Sequence, residues 1–240
     1  MTFNADHLKG QYFSGTEDDF ILDWSMSRAE RFTLIYFLQK IRPGITIEIG
    51  TYNGGSLQVI SKYSGHVYAI DNDPSVEKKL NDHFTNVTFN IGDSKEIVPK
   101  LAETLSHQQL HPEFVLIDGD HSTQGVYTDL TNILNIRPVK DCYVFLHDTF
   151  NPDCRKGIQN YNFSENPYVH YVDLDFVPGE MIKGKMWGGL GLVILKNQKR
   201  TESLTVFETY KSKFKRNYYV SIHLLKKTIG FIKPLKKVFE

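Results

Sequence analysis

The chain has 240 residues and zero formal net charge, with 40% hydrophobic and 23% charged residues. These are the proportions of a soluble globular protein large enough to bury a core without staples, and the balanced charge removes any global electrostatic case for nucleic acid. The two cysteines, Cys142 and Cys154, make no disulfide framework and fit a reducing cytoplasm. Cys142 lies in an apolar run and is expected in the core, whereas Cys154 is expected in a polar loop. Met1 to Trp24 carries acids and no apolar block, which argues against a signal peptide. No stretch approaches the roughly 18 apolar residues of a transmembrane helix.

Residues 1–24 read as a polar lead-in to a domain spanning 25–198. Phe32, Ile35, Leu38 and Ile41 recur at helical spacing and predict a helix over 25–41, capped by Ser25 or Ser27 and ended by Pro43-Gly44. Strands and helices then alternate. Strands are expected at 45–50, 67–71, 87–91, 114–118 and 142–147, and helices at 56–63, 74–84, 96–106 and 123–135. Continuous apolar strands separated by helical spans imply a parallel sheet covered on both faces. After Asp148 a loop with Pro152 and Gly157 leads to two further strands, 168–172 and 190–196. The expected architecture is therefore an α/β, Rossmann-like, mostly parallel seven-stranded sheet. Residues 199–240 read as a separate basic helical tail.

In an open parallel sheet, ligands bind at the carboxyl ends of the strands, so the residues ending each strand carry the most information. The first strand runs into Glu48-Ile49-Gly50-Thr51-Tyr52-Asn53-Gly54-Gly55-Ser56. Gly50 and Gly54 permit a tight turn and a close backbone approach. Tyr52 stands where a phosphate-binding G-x-G-x-x-G would need glycine, which disfavours a dinucleotide. Glu48 suits a cationic or zwitterionic ligand better than a pyrophosphate. Asp71, ending the second strand, can accept both hydroxyls of a ribose. Asp93 and Ser94 follow the third strand, where they can meet an adenine edge or cap the next helix. The fourth strand ends in Ile117-Asp118-Gly119-Asp120-His121-Ser122 and the fifth in His147-Asp148-Thr149.

These strand ends resemble a class I S-adenosylmethionine-dependent methyltransferase. The Tyr52-containing loop followed by Ser56 is similar to the metal-dependent O-methyltransferases of the catechol and caffeoyl-CoA type. The pairing of the Ile117–Ser122 segment with Leu146-His147-Asp148-Thr149-Phe150 is similar to a bacterial branch of macrolide sugar O-methyltransferases and proteins labelled cephalosporin hydroxylase. The likeness covers about residues 25–196. It implies S-adenosylmethionine as cofactor, held by Glu48, Gly50, Thr51, Tyr52, Gly54, Ser56, Asp71, Asp93, Ser94, Asp118 and Asp120, with Asp120 on the methionine ammonium. A saccharide or glycosylated small molecule is the acceptor it implies.

Asp118 and Asp148 at neighbouring strand ends would point into one crevice, where unpaired carboxylates raise one another's pKa. A divalent cation removes that conflict. Oxygen ligands fit Mg²⁺, with Mn²⁺ or Ca²⁺ as alternatives, and His147 shifts the preference toward a transition metal if it coordinates. His147 stands where the related enzymes place an acid or amide, and its ring can instead point into the sheet or toward substrate. By the same resemblance His121 is the base that takes the acceptor's proton; otherwise it is a surface turn histidine. His83, His107, His111, His170 and His223 have no such context. Trp187, just before the last strand, is an acceptor-pocket or a packing aromatic. No 2-His-1-carboxylate iron triad is visible in the sequence, so the hydroxylase label finds no support there.

From Lys211 onward the charged residues are nine lysines and arginines and one acid, Glu240. Tyr218, Ile222, Leu225, Ile229 and Ile232 form one face of a helix. Such a face packs on the domain or on a second subunit, or lies on an anionic membrane from the cytoplasmic side. No groove-reading motif points to nucleic acid. The functional expectation is metal-assisted O-methyl transfer. A nucleotide-dependent oxidoreductase, or a catalytically degenerate cofactor-binding or scaffold protein, are the alternatives.

Overall fold

A computed structural model of the chain describes residues 20–182 and 184–230. The chain groups into two compact units, Met1–Val115 and Leu116–Glu240. Most of the expected polar lead-in and the end of the expected tail, including Ile232, Lys233, Lys236, Lys237 and Glu240, lie outside the described residues.

In the first unit, α1 (Arg28–Ile41) begins at a capping box: Glu30 accepts the Ser27 amide while the Ser27 hydroxyl accepts the Glu30 amide. Its apolar stripe buries Leu34, Ile35 and Leu38, and Arg42 in the left-handed region closes it ahead of Pro43. Next come β1 (Ile45–Ile49), α2 (Gly55–Tyr63), β2 (His66–Asp71), α3 (Ser75–Leu80), a 3₁₀ turn (Asn81–His83), β3 (Val87–Ile91) and α4 (Ser94–His107). β1 pairs parallel with β2 from Ile45–His66 to Ile49–Ile70, and β2 pairs parallel with β3. Ile47, Leu57, Ile60 and Phe114 are among the largest fully buried side chains of this unit.

β4 (Phe114–Ile117) carries the boundary between the units. The second unit continues with α5 (Thr123–Leu134), β5 (Cys142–Leu146), α6 (Pro152–Gln159), a 3₁₀ turn (Phe163–Glu165), β6 (Val169–Val177), β7 (Glu180–Ile182), β8 (Lys185–Trp187), β9 (Leu190–Leu195), β10 (Val206–Phe207) and α7 (Tyr210–Gly230). The main sheet has the strand order β10-β6-β9-β5-β4-β1-β2-β3. β9 is antiparallel to both β5 and β6, and β10 is parallel to β6. β7 and β8 form a separate antiparallel hairpin.

The fold class is the expected one, and the strand count rises from seven to eight with the hairpin in addition. β10 is two residues long and β7 and β8 are three each, too short to produce an alternating pattern. The expected loop after Asp148 contains helix α6. Pro152 occupies its first turn, where no amide is needed, and Asn151 caps it by accepting the amides of Asp153 and Cys154. Gly157 reads as a breaker but serves packing, since a Cβ there would lie 2.6 Å from the Thr123 carbonyl at the start of α5. Cys154, expected in a polar loop, is accordingly buried on α6.

Candidate functional site

The loop between β1 and α2 turns sharply. Gly50, Tyr52 and Gly54 all have positive φ, at 87°, 49° and 79°. At Gly54 a Cβ would also meet Leu22 and Leu80 side chains at 3.0 Å, so glycine is required on both counts. Two acids brace this loop. Glu48 is fully buried and accepts Ser56 Oγ at 2.6 Å and Thr51 Oγ1 at 3.0 Å. Asp71 Oδ2 accepts the amides of Thr51 and Tyr52 at 2.9 Å each, and Oδ1 accepts the Asp73 amide. Glu48, expected to contact the cofactor, and Asp71, expected to hold its ribose, thus also hold the loop in shape. Asp93 caps α4 through the Lys95 amide at 3.0 Å and pairs with Lys95 Nζ at 2.9 Å, and Ser94 is the first residue of that helix.

In the second unit four side chains converge. Asp118 follows β4, His121 lies in the turn before α5, and His147 and Asp148 follow β5. The His147 amide donates to the Ile117 carbonyl, which sets the two strand ends level. Asp148 has φ 54°, a left-handed conformation that Asp tolerates better than most non-glycine residues. Its Oδ1 accepts the Gly188 amide. One ligand atom from each of Asp118, His121, His147 and Asp148 lies within 4.8 Å of all the others. His147 Nδ1 is 2.7 Å from Asp118 Oδ1 and 3.6 Å from Asp148 Oδ2. His121 Nε2 is 2.7 Å from Asp148 Oδ2 and 3.5 Å from Asp118 Oδ1.

The electrostatics follow from this alternation of acid and imidazole. Hydrogen bonds to Asp118 and then Asp148 raise His121 from its ordinary 6.5 to about 10, against the opposing effect of burial. Burial pushes the Asp118 carboxyl up, but the His147 charge and hydrogen bonds from both histidines outweigh it and hold the group below the usual carboxylate range. His147 is nearly buried, with a side chain 5% exposed, whereas that of His121 is 42% exposed. Trp187 lies edge-on to His121, with ring centroids 5.7 Å apart.

Of the residues singled out in sequence, Asp118, Asp148, His147 and His121 are brought together. Asp120 is not among them. It is exposed and folds back on the Ser122 amide at 2.8 Å and hydroxyl at 2.9 Å. The absence of a two-histidine donor set, which told against iron chemistry, does not hold in three dimensions, because strand order brings together histidines 26 positions apart in the chain. Arg155 was invisible because its segment reads as a loop. It is buried on α6, where it donates to the carbonyls of Thr149 and Leu174 at 2.8 Å and pairs with Asp175 and Glu208.

Glu208 also pairs with Arg216 on α7, and Asp175 accepts Ser212 Oγ at 2.8 Å and the Thr209 amide at 2.9 Å. Ser212 and Arg216 are buried, so the first turns of α7 are anchored. The opposite side exposes Tyr210, Phe214 and Tyr218 at 83%, 60% and 53%. Their rings follow one another at 6.5 and 6.4 Å. Tyr218 and Leu225 of the expected apolar face are exposed too, while Ile232 lies outside the described residues. No described helix is long and apolar enough to cross a membrane.

Residues 47–149 match a family described as a methyltransferase domain. No curated protein matches the sequence. Among solved structures, the chain is similar to an O-methyltransferase from Bacillus cereus in complex with SAH, with 14% identity, 72% of this chain and 83% of that one covered, and a TM-score of 0.55. It is also similar to cofactor-bound Rv0187 from MTB, with 14% identity, 81% and 96% covered, and a TM-score of 0.55. These two likenesses establish the fold. The chain therefore shares the fold of these proteins, and its residues 47–149, from the glycine loop to the second acidic strand end, are similar in sequence to a methyltransferase domain.

Proposed function

We propose that the chain is a class I S-adenosylmethionine-dependent methyltransferase acting on a hydroxyl group, with a divalent cation held by the Asp118–His147–Asp148 cluster, and that its acceptor is a saccharide or glycosylated small molecule. The cluster itself carries the reading. Two carboxylates and two imidazoles with ligand atoms within 4.8 Å of one another are a donor set for a metal, and alternating O and N donors fit one ion. Bound there, such an ion would lower the pKa of an acceptor hydroxyl.

The chain's own groups divide the remaining work. The glycine loop, braced by Glu48 and Asp71, receives the cofactor with little reorganisation. Gly50, Thr51, Tyr52, Gly54, Ser56, Asp93, Ser94, Asp118 and Asp120 are the further cofactor contacts we propose. A cation on Asp118 and Asp148 would remove the pairs that keep His121 protonated, and the half-exposed imidazole beside Trp187 would then take the hydroxyl proton at Nε2. Methyl transfer is an in-line displacement, so orientation and removal of that proton are what the protein must supply. The methyltransferase match argues against the oxidoreductase alternative, and an assembled cluster argues against a degenerate scaffold.

Two proposals concern place and partners. Both cysteines are buried and no disulfide joins them, which fits the cytoplasm we propose. The exposed aromatic stripe of α7, with Lys211 and Lys215 on the same helix, fits the anionic inner face of a membrane. A second copy of the chain is the competing occupant.

The test is transfer of labelled methyl from S-adenosylmethionine to a panel of saccharides and glycosides, with and without EDTA. Labelled O-methyl product that disappears in EDTA and returns with added metal is expected. Product formed equally in EDTA removes the metal, and product on nitrogen or carbon alone removes the hydroxyl.

A further inference from the structure

We infer that the cluster selects a transition-metal ion over Mg²⁺, with His147 as a ligand through Nδ1 and His121 outside the ligand set; this rests on the proposal that the cluster holds a metal at all. Position separates the two histidines. His147 follows directly on β5, its amide is fixed to the Ile117 carbonyl, and its side chain is 5% exposed. Its Nδ1 faces both carboxylates, at 2.7 Å from Asp118 and 3.6 Å from Asp148. A buried imidazole nitrogen between two carboxylates cannot be replaced by water without opening the strand ends. His121 sits in a turn, is 42% exposed and lies against Trp187, where it can swing toward a substrate.

Donor chemistry then sets the ion. An ion bonded at roughly 2.0–2.2 Å to a nitrogen and two oxygens needs donor separations of roughly 3–3.5 Å, and the Nδ1 separations of 2.7 and 3.6 Å bracket that span. Mg²⁺ demands hard oxygen ligands in near-ideal octahedral array, and Ca²⁺ takes six to eight oxygens. One obligatory imidazole in a set of three protein donors moves the preference to Mn²⁺, Fe²⁺, Co²⁺, Ni²⁺ or Zn²⁺. Asp148 Oδ1 already accepts the Gly188 amide, which leaves Oδ2 as its ligand atom and disfavours the bidentate carboxylate that Ca²⁺ prefers.

The experiment uses the full chain, stripped with a chelator and titrated with Co²⁺ and Mn²⁺ in the presence of excess Mg²⁺. Binding is read by the Co²⁺ visible spectrum and by Mn²⁺ paramagnetic resonance, without any turnover. One equivalent of Co²⁺ or Mn²⁺ is expected to bind and to resist displacement by about a hundredfold excess of Mg²⁺. Nitrogen coupling to bound Mn²⁺ should show a directly attached imidazole. In His147→Asp the coupling should vanish and Mg²⁺ should displace Mn²⁺ at about equal concentration, whereas His121→Ala should retain both coupling and affinity. If Mg²⁺ displaces Mn²⁺ at parity from the unaltered protein, or bound Mn²⁺ shows no nitrogen coupling, the selectivity inference fails while the metal reading stands. If none of these ions binds, the metal reading itself fails. Loss of binding in His121→Ala would place that residue among the ligands and overturn its exclusion. Should His147→Asp not fold, competition and coupling in the unaltered protein decide the matter.

Discussion

His121 Nε2 lies 2.7 Å from Asp148 Oδ2, joining the turn before α5 to the residue after β5 by an ion pair. In the metal-free protein this pair and the neighbouring Asp118 contact make stability depend on pH. His121 is raised from 6.5 to about 10, so its contribution is complete below pH 6.5 and is lost as pH rises through about 10. Asp118 is lowered from 3.8, so its contribution is present above that value and is lost as pH falls below it. The thermal midpoint of EDTA-treated protein is expected to be highest between pH 3.8 and 6.5 and to decline toward pH 10. His121→Gln should flatten the alkaline limb; an unchanged limb would show that the His121 pairs contribute nothing there.

Cofactor binding should depend on the brace beneath the glycine loop. Asp71→Ala removes the acceptor of two loop amides, each such bond to a charged group being worth about 1.5–3 kcal/mol. Isothermal titration should show S-adenosylhomocysteine affinity falling by at least about a hundredfold, which is about 2.7 kcal/mol. Asp71→Asn, which keeps one acceptor oxygen, should lose less. Unaltered affinity in Asp71→Ala would remove this role, and binding of NAD in place of S-adenosylhomocysteine would contradict the cofactor assignment.

The base can be read from kinetics once an acceptor is known. His121→Ala should slow the chemical step by about 10²–10⁴-fold, the usual worth of a positioned base, while cofactor affinity holds. The defect should narrow as pH rises, because hydroxide then replaces the missing imidazole. Single-turnover rates across pH provide the measurement, and an undiminished rate at neutral pH would move the base elsewhere.

Membrane contact through α7 is best tested without truncation, because removing residues after 199 would also remove Glu208 and the buried Ser212 and Arg216. Replacing Tyr210, Phe214 and Tyr218 with Ser leaves those anchors in place. Vesicles containing anionic lipid should sediment with the unaltered protein, less so at high salt, and not with the triple variant. A triple variant that sediments normally would exclude the stripe. One that changes oligomeric state instead would give it to a second copy of the chain.

How much of this was legible in the sequence varies with the kind of signal. Strand β3 falls at 87–91 as expected and α5 ends within one residue of expectation, because long apolar periodicities survive tertiary context. The convergence of Asp118 and Asp148 was legible because strand ends in an open sheet share a location by topology. The orientation of His147 was not, since a residue just past a strand has no period to assign its face. Helix α6 hid behind Pro152 and Gly157, whose usual meaning as breakers was overridden by a first-turn position and a close helix contact. The outward stripe at Tyr210, Phe214 and Tyr218 had a readable i, i+4 spacing, but it precedes the apolar face that the later residues suggested.

The Arg155 guanidinium touches the Thr149 carbonyl, one residue from Asp148, and also Glu208, which Arg216 of α7 shares. Opening the first two turns of α7 would strand a buried cation, so those turns should open only when the second unit as a whole does. In amide exchange, the segment around Lys213–Arg216 should therefore be slow and share the protection of β6. The start of this helix would belong to the cooperative body of the second unit, so that loosening it would also loosen the strand end that carries Asp148.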